Sequence, residues 1–357
     1  MLEENTKTKF HDCSKSSSGS PLFYRKQNSR YADRFPCKTS DWTTDHLLHL
    51  GIDYAETSSD LPSFMLPVKE IYRKKHGVEG DLPDVYKNLL QYTKDRWNFS
   101  FDFQKETRST DESAVQNGIK QSVDAIKSLK EDRLKQHDWA SLDVYMRWRH
   151  NLVDFWHHFV MLLRRWRKEW PKEERYTILL MAFSRVCFLV PELGQAYSEL
   201  FTIKDLTVRG MPEVRFMAAP PLNVDRAASY DSQILIVTEV KEFDSLRVDC
   251  NAENFSLRNV SKKVLGQHGI KLLMERSSSF FFPGVVGILC IGTKMILSYL
   301  NITQDHYFRI KEKGKVDSNT KATISYTRPY DILNVHDRLE IMEALFWFGI
   351  VQSKYIA

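Results

Sequence analysis

Cysteine is scarce and unpaired in this chain. Five residues, Cys13, Cys37, Cys187, Cys250 and Cys290, are scattered over 357, and no two form a Cys-x-x-Cys. That usage argues against a zinc ribbon and against a secreted disulfide scaffold. An excess of one charge is lacking too. The formal net charge is only +5, so a surface for nucleic acid must be local rather than global. Met1 to Gly19 is polar and rich in Ser and Lys, without the apolar centre of a signal peptide. The expected location is intracellular, nuclear or cytoplasmic. No internal repeat is present.

Two further absences need an argument. Phe280 to Ile302 is mostly apolar and near the length of a membrane-spanning helix. Pro283, Gly284 and Gly287 crowd its start, and Gly292-Thr293-Lys294 interrupts it. Val and Ile dominate, so two strands, Val285–Ile291 and Met295–Leu300, joined at a Gly turn fit better, and no membrane span is expected. The same stretch imitates a phosphate-binding loop, Gly287 to Lys294. It reverses the closing Lys-Thr order and lies in a strand pair instead of opening a helix, so that reading fails.

Hydrophobic residues at 42% and aromatics at 12% support a packed core. Residues 1–60 lack periodicity and read as a disordered tail, with a short helix near Asp45–Leu50. Residues 61–172 read as a helical region. Its helices are expected at Pro83–Arg96, Gln121–Gln136 and Leu142–Trp170, with a polar linker at Lys105–Gly118. In the last of these, Trp148, Leu152, Phe155, Trp156, Phe159, Leu163 and Trp166 recur at three- and four-residue steps, which marks a buried helix. It ends in Arg164, Arg165, Arg167 and Lys168. These are either an aromatic-basic nucleic-acid surface or cations favoured at a helix C-terminus. His150, Asp154 and His157 share a helical face with metal-ligand spacing, although such residues more often hydrogen-bond at a packed surface.

Residues 173–357 read differently. A helix over Glu173–Leu200, broken or kinked at Pro191, carries Glu192 and Glu199 in its second half. Val214–Met217 alternates as a half-buried strand after the turn at Gly210 and Pro212. Ile234 to Val237 is a strand buried on both faces, and it stops in Thr238-Glu239-Val240-Lys241. Alternation puts Glu239 and Lys241 on one side and Val240 on the other. A helix over Ser256–Arg276, a hairpin of Tyr307–Ile310 with Ala322–Tyr326, and a last helix at Ile332–Val351 complete the reading.

Pro212-Glu213, Glu239-Val240-Lys241 and Gln267, in the order helix, strand, strand, helix, strand pair, resemble the PD-(D/E)XK nuclease superfamily over about residues 173–302. The resemblance implies an α+β fold: a helical N-terminal region, then a restriction-endonuclease-like domain whose mixed central sheet is flanked by helices. It implies a nuclease that hydrolyses phosphodiester bonds with Mg²⁺, or Mn²⁺ in its place. Glu213, Glu239, the Val240 carbonyl and Glu199 or Glu192 would serve the metal. Lys241 would orient the attacking water, and Gln267 resembles a glutamine of RecB-like members. Two departures stand out. Glu213 replaces the usual aspartate, and Lys271 stands where those members have a tyrosine. Asp225 and Asp231 remain alternatives to Glu213 as second acid. A silent nuclease-like domain that binds nucleic acid or protein is the competing expectation. The expected partner is nucleic acid, DNA ahead of RNA, with a protein partner on the helical region.

Overall fold

A computed structural model describes residues 35–76, 82–103, 112–131, 139–166, 171–194, 199–218, 233–243, 255–314 and 321–353. Strand β6 (Gln233–Lys241) lies near the middle of an eight-stranded mixed sheet. Its neighbours are β5 (Val214–Ala218), antiparallel, and β7 (Val285–Ile291), parallel. Beyond β5 lies β2 (Pro191–Leu193). Beyond β7 come β8 (Lys294–Asn301), β9 (Ala322–Tyr326) and β1 (Ile52–Tyr54), with β10 (Tyr330–Asp331) also on β8. Strands β3 (Glu199–Ile203) and β4 (Leu206–Gly210) form a separate hairpin.

Nine α-helices are present among the described residues: α1 (Thr44–His49), α2 (Leu61–His76), α3 (Asp84–Arg96), α4 (Glu112–Glu131), α5 (Trp139–Trp166), α6 (Glu173–Val186), α7 (Lys262–Met274), α8 (Gln304–Lys313) and α9 (Val335–Ser353). The two faces of β6 explain how they are layered. Ile236 and Val240 join the core that contains α5, α6 and α9, while Ile234 and Val237 join the core that contains α7. A parallel β6–α7–β7 crossover covers the second face. Fully burying each such aliphatic side chain is worth about 1.5–3 kcal/mol, which makes β6 a strongly held strand end on which to mount polar groups.

On α5, Trp148, Phe155, Trp156 and Phe159 are buried. Trp156 meets Trp97 with ring centroids 4.6 Å apart, and the Arg338 guanidinium of α9 lies 3.9 Å above the Trp97 ring. Arg338 also donates to the Trp97 carbonyl at 2.6 Å and the Phe99 carbonyl at 3.0 Å. Burial lowers its pKa to about 9. Trp148 and Trp156 of α5 are thus core, and one hydrophobic core takes side chains from both the helical region and the sheet. No helix among the described residues is long and apolar enough to cross a membrane.

Several expectations are corrected. The disordered tail does not extend over residues 35–60. Phe35 and Trp42 stack at 5.5 Å, α1 packs on α7, and β1 pairs with β9. Gly266 makes the α1 approach possible, because a Cβ there would come within 2.3 Å of the Thr43 backbone. The expected linker at Lys105–Gly118 contains the start of α4 at Glu112. The helix from Glu173 stops at Val186, where Phe188 takes a positive φ of 62° and Pro191 opens a strand. Glu192 and Glu199 therefore stand on strands. Tyr307–Ile310 is not a strand: it lies in α8, capped by Thr303 accepting from the His306 amide and closed by Gly314 at φ 64°. The Val285–Asn301 hairpin turns at Gly292, φ 62°, as expected.

Candidate active site

Strand register brings the acids together. Val214 pairs with Thr238, and the Glu213 amide donates to the Thr238 carbonyl at 3.2 Å. One step further along the antiparallel ladder, Glu213 faces Glu239. Like charges directly opposite destabilise a strand pair, so this pairing demands a cation. Both carboxylates lie on the α7 side of the sheet, because the alternate residues Val214 and Val240 point into the other core.

Two lysines supply the cations. Lys241, next but one on β6, lies 2.8 Å from Glu239 Oε1 and 3.7 Å from Glu213. It also reaches Glu173 at the start of α6, 2.9 Å away. The Glu173 amide in turn donates to Glu242 at 3.2 Å. Lys271, on α7, puts its Nζ 3.2 and 3.1 Å from the two Glu213 oxygens and bonds Glu239 as well. Exposure grades across the cluster: 0% for the Glu239 side chain, 2% for Lys271, 14% for Lys241, 19% for Glu213 and 38% for Glu173. The cluster is thus sealed at Glu239 and open at Glu173.

The two acids titrate apart. Burial, then the neighbouring Glu239 charge, pushes the Glu213 carboxyl up to about 8. Burial works against charge on Glu239 also, but Lys271 and Lys241 outweigh it and hold that carboxyl down at about 2. Lys241 is raised: desolvation opposes its charge, and Glu239 and Glu213 more than compensate. His268, one turn from Lys271, is buried and driven down to about 4 by desolvation, and its Nε2 lies 2.7 Å from Ser298 Oγ. It is a neutral wall of the site.

A cavity of about 710 Å³ opens at the exposed end. Its lining includes the acids Glu173 and Glu213, the apolar side chains Met181, Leu193 and Met211, and the basic side chains Arg185 and His158. Arg185 comes within 4.0 Å of Asp154 and His158 within 3.6 Å of it. Asp154 therefore faces these two residues, rather than a metal shared with His150 and His157.

Of the residues singled out in the sequence, Glu213, Glu239 and Lys241 come together. Val240 lies between the latter two with its side chain in the opposite core. Gln267 lies half-buried on α7, one turn before Lys271. Glu199 sits on β3 opposite Gly210, in the separate hairpin, and its side chain lies outside the described residues. Arg164 and Arg165 are exposed in the last turn of α5, while Arg167, Lys168, Asp225 and Asp231 lie outside the described residues. Glu173 and Lys271 were not anticipated as site residues. The signal for Lys271 was a lone cation among the apolar positions Ile270, Leu272 and Leu273.

Two carboxylates, Glu213 and Glu239, are the side chains here that could hold a divalent ion of the Mg²⁺ type. Glu213 and Glu239 already converge on one cation, the Lys271 ammonium, and Mg²⁺ usually takes only one or two carboxylates and keeps waters elsewhere. Among the described residues no group of three or more His, Cys, Asp or Glu is placed for a metal, so the protein would offer a sparse site. No family model matches this chain, and no curated protein matches it.

Proposed function

We propose that this chain is a Mg²⁺-dependent nuclease of the restriction-endonuclease-like type, with DNA ahead of RNA as substrate and Mn²⁺ able to replace Mg²⁺. The observation that carries this reading is the pairing of Glu213 with Glu239 across a ladder, with Lys241 on the same strand end. The succession α6, β2, β5, β6, α7, β7 supports it, since β2, β5 and β6 run antiparallel and β7 lies parallel to β6.

Glu213 and Glu239 would hold the ion. When bound, it would lower the pKa of a coordinated water and offset charge on the phosphoryl oxygens. Lys241, held between Glu239 and Glu173, would orient that water and meet the scissile phosphate. Of the cavity's lining, Met181, Leu193 and Met211 would face a nucleobase, and Arg185 would offer a charge to the backbone. Arg165, two turns after His158 on the same face of α5, extends that basic edge.

A second reading has its own observation. Lys271 stands between the two acids, which suits a nuclease-like domain that binds nucleic acid or protein without cutting it. Purified protein incubated with single- and double-stranded DNA and with RNA separates the two. Cleavage is expected with Mg²⁺ or Mn²⁺ and none with EDTA. Glu239→Gln and Lys241→Ala should each remove it. Cleavage that persists in both variants sinks the active-site assignment, and binding without cleavage by the unaltered protein favours the second reading.

A further inference from the structure

We infer that Lys271 is a tethered cation that competes with the divalent ion for Glu213 and Glu239, and so makes metal binding depend on a nucleic-acid phosphate. The inference rests on the metal-dependent reading above.

The geometry is specific. Lys271 Nζ is within hydrogen-bond distance of both Glu213 oxygens and of Glu239. It comes from α7, across the sheet's face, and is 2% exposed. An ion held by the Glu213 oxygens together with Glu239 Oε2 would take the place of that ammonium, which bonds these same atoms. Two cations cannot share the point, because their repulsion in a poorly solvated site is large. Lys241 is not the one to move. It is anchored by Glu173 and stands 3.7 Å from Glu213, against 3.1 Å for Lys271.

A displaced Lys271 has a difficulty of its own. Its neighbours on α7, Ile270, Leu272 and Leu273, are buried, and a buried ammonium without an anion is costly. A phosphodiester oxygen entering beside Glu213 from the cavity supplies that anion. The metal alone must therefore displace the lysine without compensation, whereas metal and nucleic acid together let it pass from carboxylate to phosphate. The coupling is reciprocal, since each ligand must strengthen the other by the same factor. Lys271 then acts as a positioning residue that keeps the acids paired and the site closed to metal until substrate arrives.

Calorimetry on the full chain tests this, with Mn²⁺ as probe and a single-stranded phosphorothioate DNA as the uncleaved nucleic acid. The unaltered protein should bind Mn²⁺ on the order of tenfold more tightly with the oligonucleotide than without it. Lys271→Met should bind Mn²⁺ more tightly than the unaltered protein in the absence of DNA, and the oligonucleotide should then add less than about twofold. A second readout needs no variant. The ammonium ¹H–¹⁵N signal of Lys271 should shift when Mg²⁺ and the oligonucleotide are added together, and stay in place with Mg²⁺ alone. If Lys271→Met binds Mn²⁺ no more tightly than the unaltered protein, or if the ammonium signal stays unmoved with both ligands, the inference about Lys271 is overturned and the metal-dependent reading stands. If neither protein binds Mn²⁺ with or without DNA, both fall.

Discussion

Strand β5 and the residue before it carry two charged side chains on one face, and they behave as opposites. Arg215 pairs with Glu275 just after α7, and both side chains are almost fully enclosed, at 4% and 2% exposed. Glu213, two residues earlier, shares its surroundings with one other acid on β6, a third on α6 and two lysines, and one side opens on a cavity. The first arrangement neutralises itself with one partner of each sign and has no access. The second gathers like charges that repel, holds them with lysine ammoniums and leaves a way in. Both are costly to desolvate, but only the second retains electrostatic conflict that a ligand could relieve. Charge imbalance next to an opening therefore marks the candidate site better than burial of charge alone.

Breaking the enclosed pair should give the largest change in stability. Glu275→Ala leaves a buried guanidinium without its acid and should cost about 3–5 kcal/mol, read by urea denaturation. A double change of Arg215→Met with Glu275→Leu should recover most of that loss, as apolar replacements of buried pairs often do. Retained loss in the double variant would show that the pair does more than neutralise itself.

The candidate site should show the reverse pattern. Removing an oriented catalytic group typically costs about 10²–10³ in rate, or about 3–4 kcal/mol of barrier. Glu239→Gln keeps the shape and should lose cleavage to that extent, while the folded state survives. A variant that unfolds as readily as Glu275→Ala would make Glu239 a structural acid like its neighbour.

A smaller effect separates the two regions by pH. Glu213 has a folded-state pKa of about 8, above the ordinary 4.5. Its contribution to stability is complete below pH 4.5 and is lost as the pH rises through 8. Glu213→Gln, which stays neutral, should flatten the fall in stability between about pH 5 and 8 when measured in EDTA. Glu239 works in the other direction: its pKa is depressed, so its contribution is present above 4.5 and lost as the pH falls toward 2. An unchanged pH profile in Glu213→Gln would remove the conflict argued for this acid.

The smallest expected effect lies at the rim. Arg164→Ala with Arg165→Ala should leave stability within about 0.5 kcal/mol, as exposed changes usually do. Binding to DNA should become less salt-dependent, by about 0.9 in log–log slope for each phosphate no longer neutralised. An unaltered slope takes these arginines out of the interface.

Much of this was legible in the residues. The limits of β6 and its Glu-x-Lys end follow from a run of branched apolar residues broken by charge. Glu213 was reachable because Gly210 and Pro212 turn the chain into an alternating strand. Lys271 was visible as a cation where a tyrosine was expected and as a lone charge among apolar neighbours, but nothing local says that a lysine on a helix will reach two acids on neighbouring strands. Glu192 and Glu199 were misplaced onto a helix because the left-handed turn at Phe188 has no glycine to announce it. The order over residues 35–60 was missed for a related reason. A few large side chains, Phe35, Trp42 and Leu47, anchor it by packing against residues far away in sequence.

That last segment has a consequence for the order of events on the ribosome. Strand β1 is an edge of the sheet, and its partner is β9, with Ile52 beside Ala322. At translation rates of about 5–20 residues per second, β1 waits roughly 15–50 s for that partner to be made. During this interval its backbone donors and acceptors are unpaired and its apolar face is bare, the condition in which strands associate with the wrong chain. This edge of the sheet thus cannot close until β9 has been made, some 270 residues after β1.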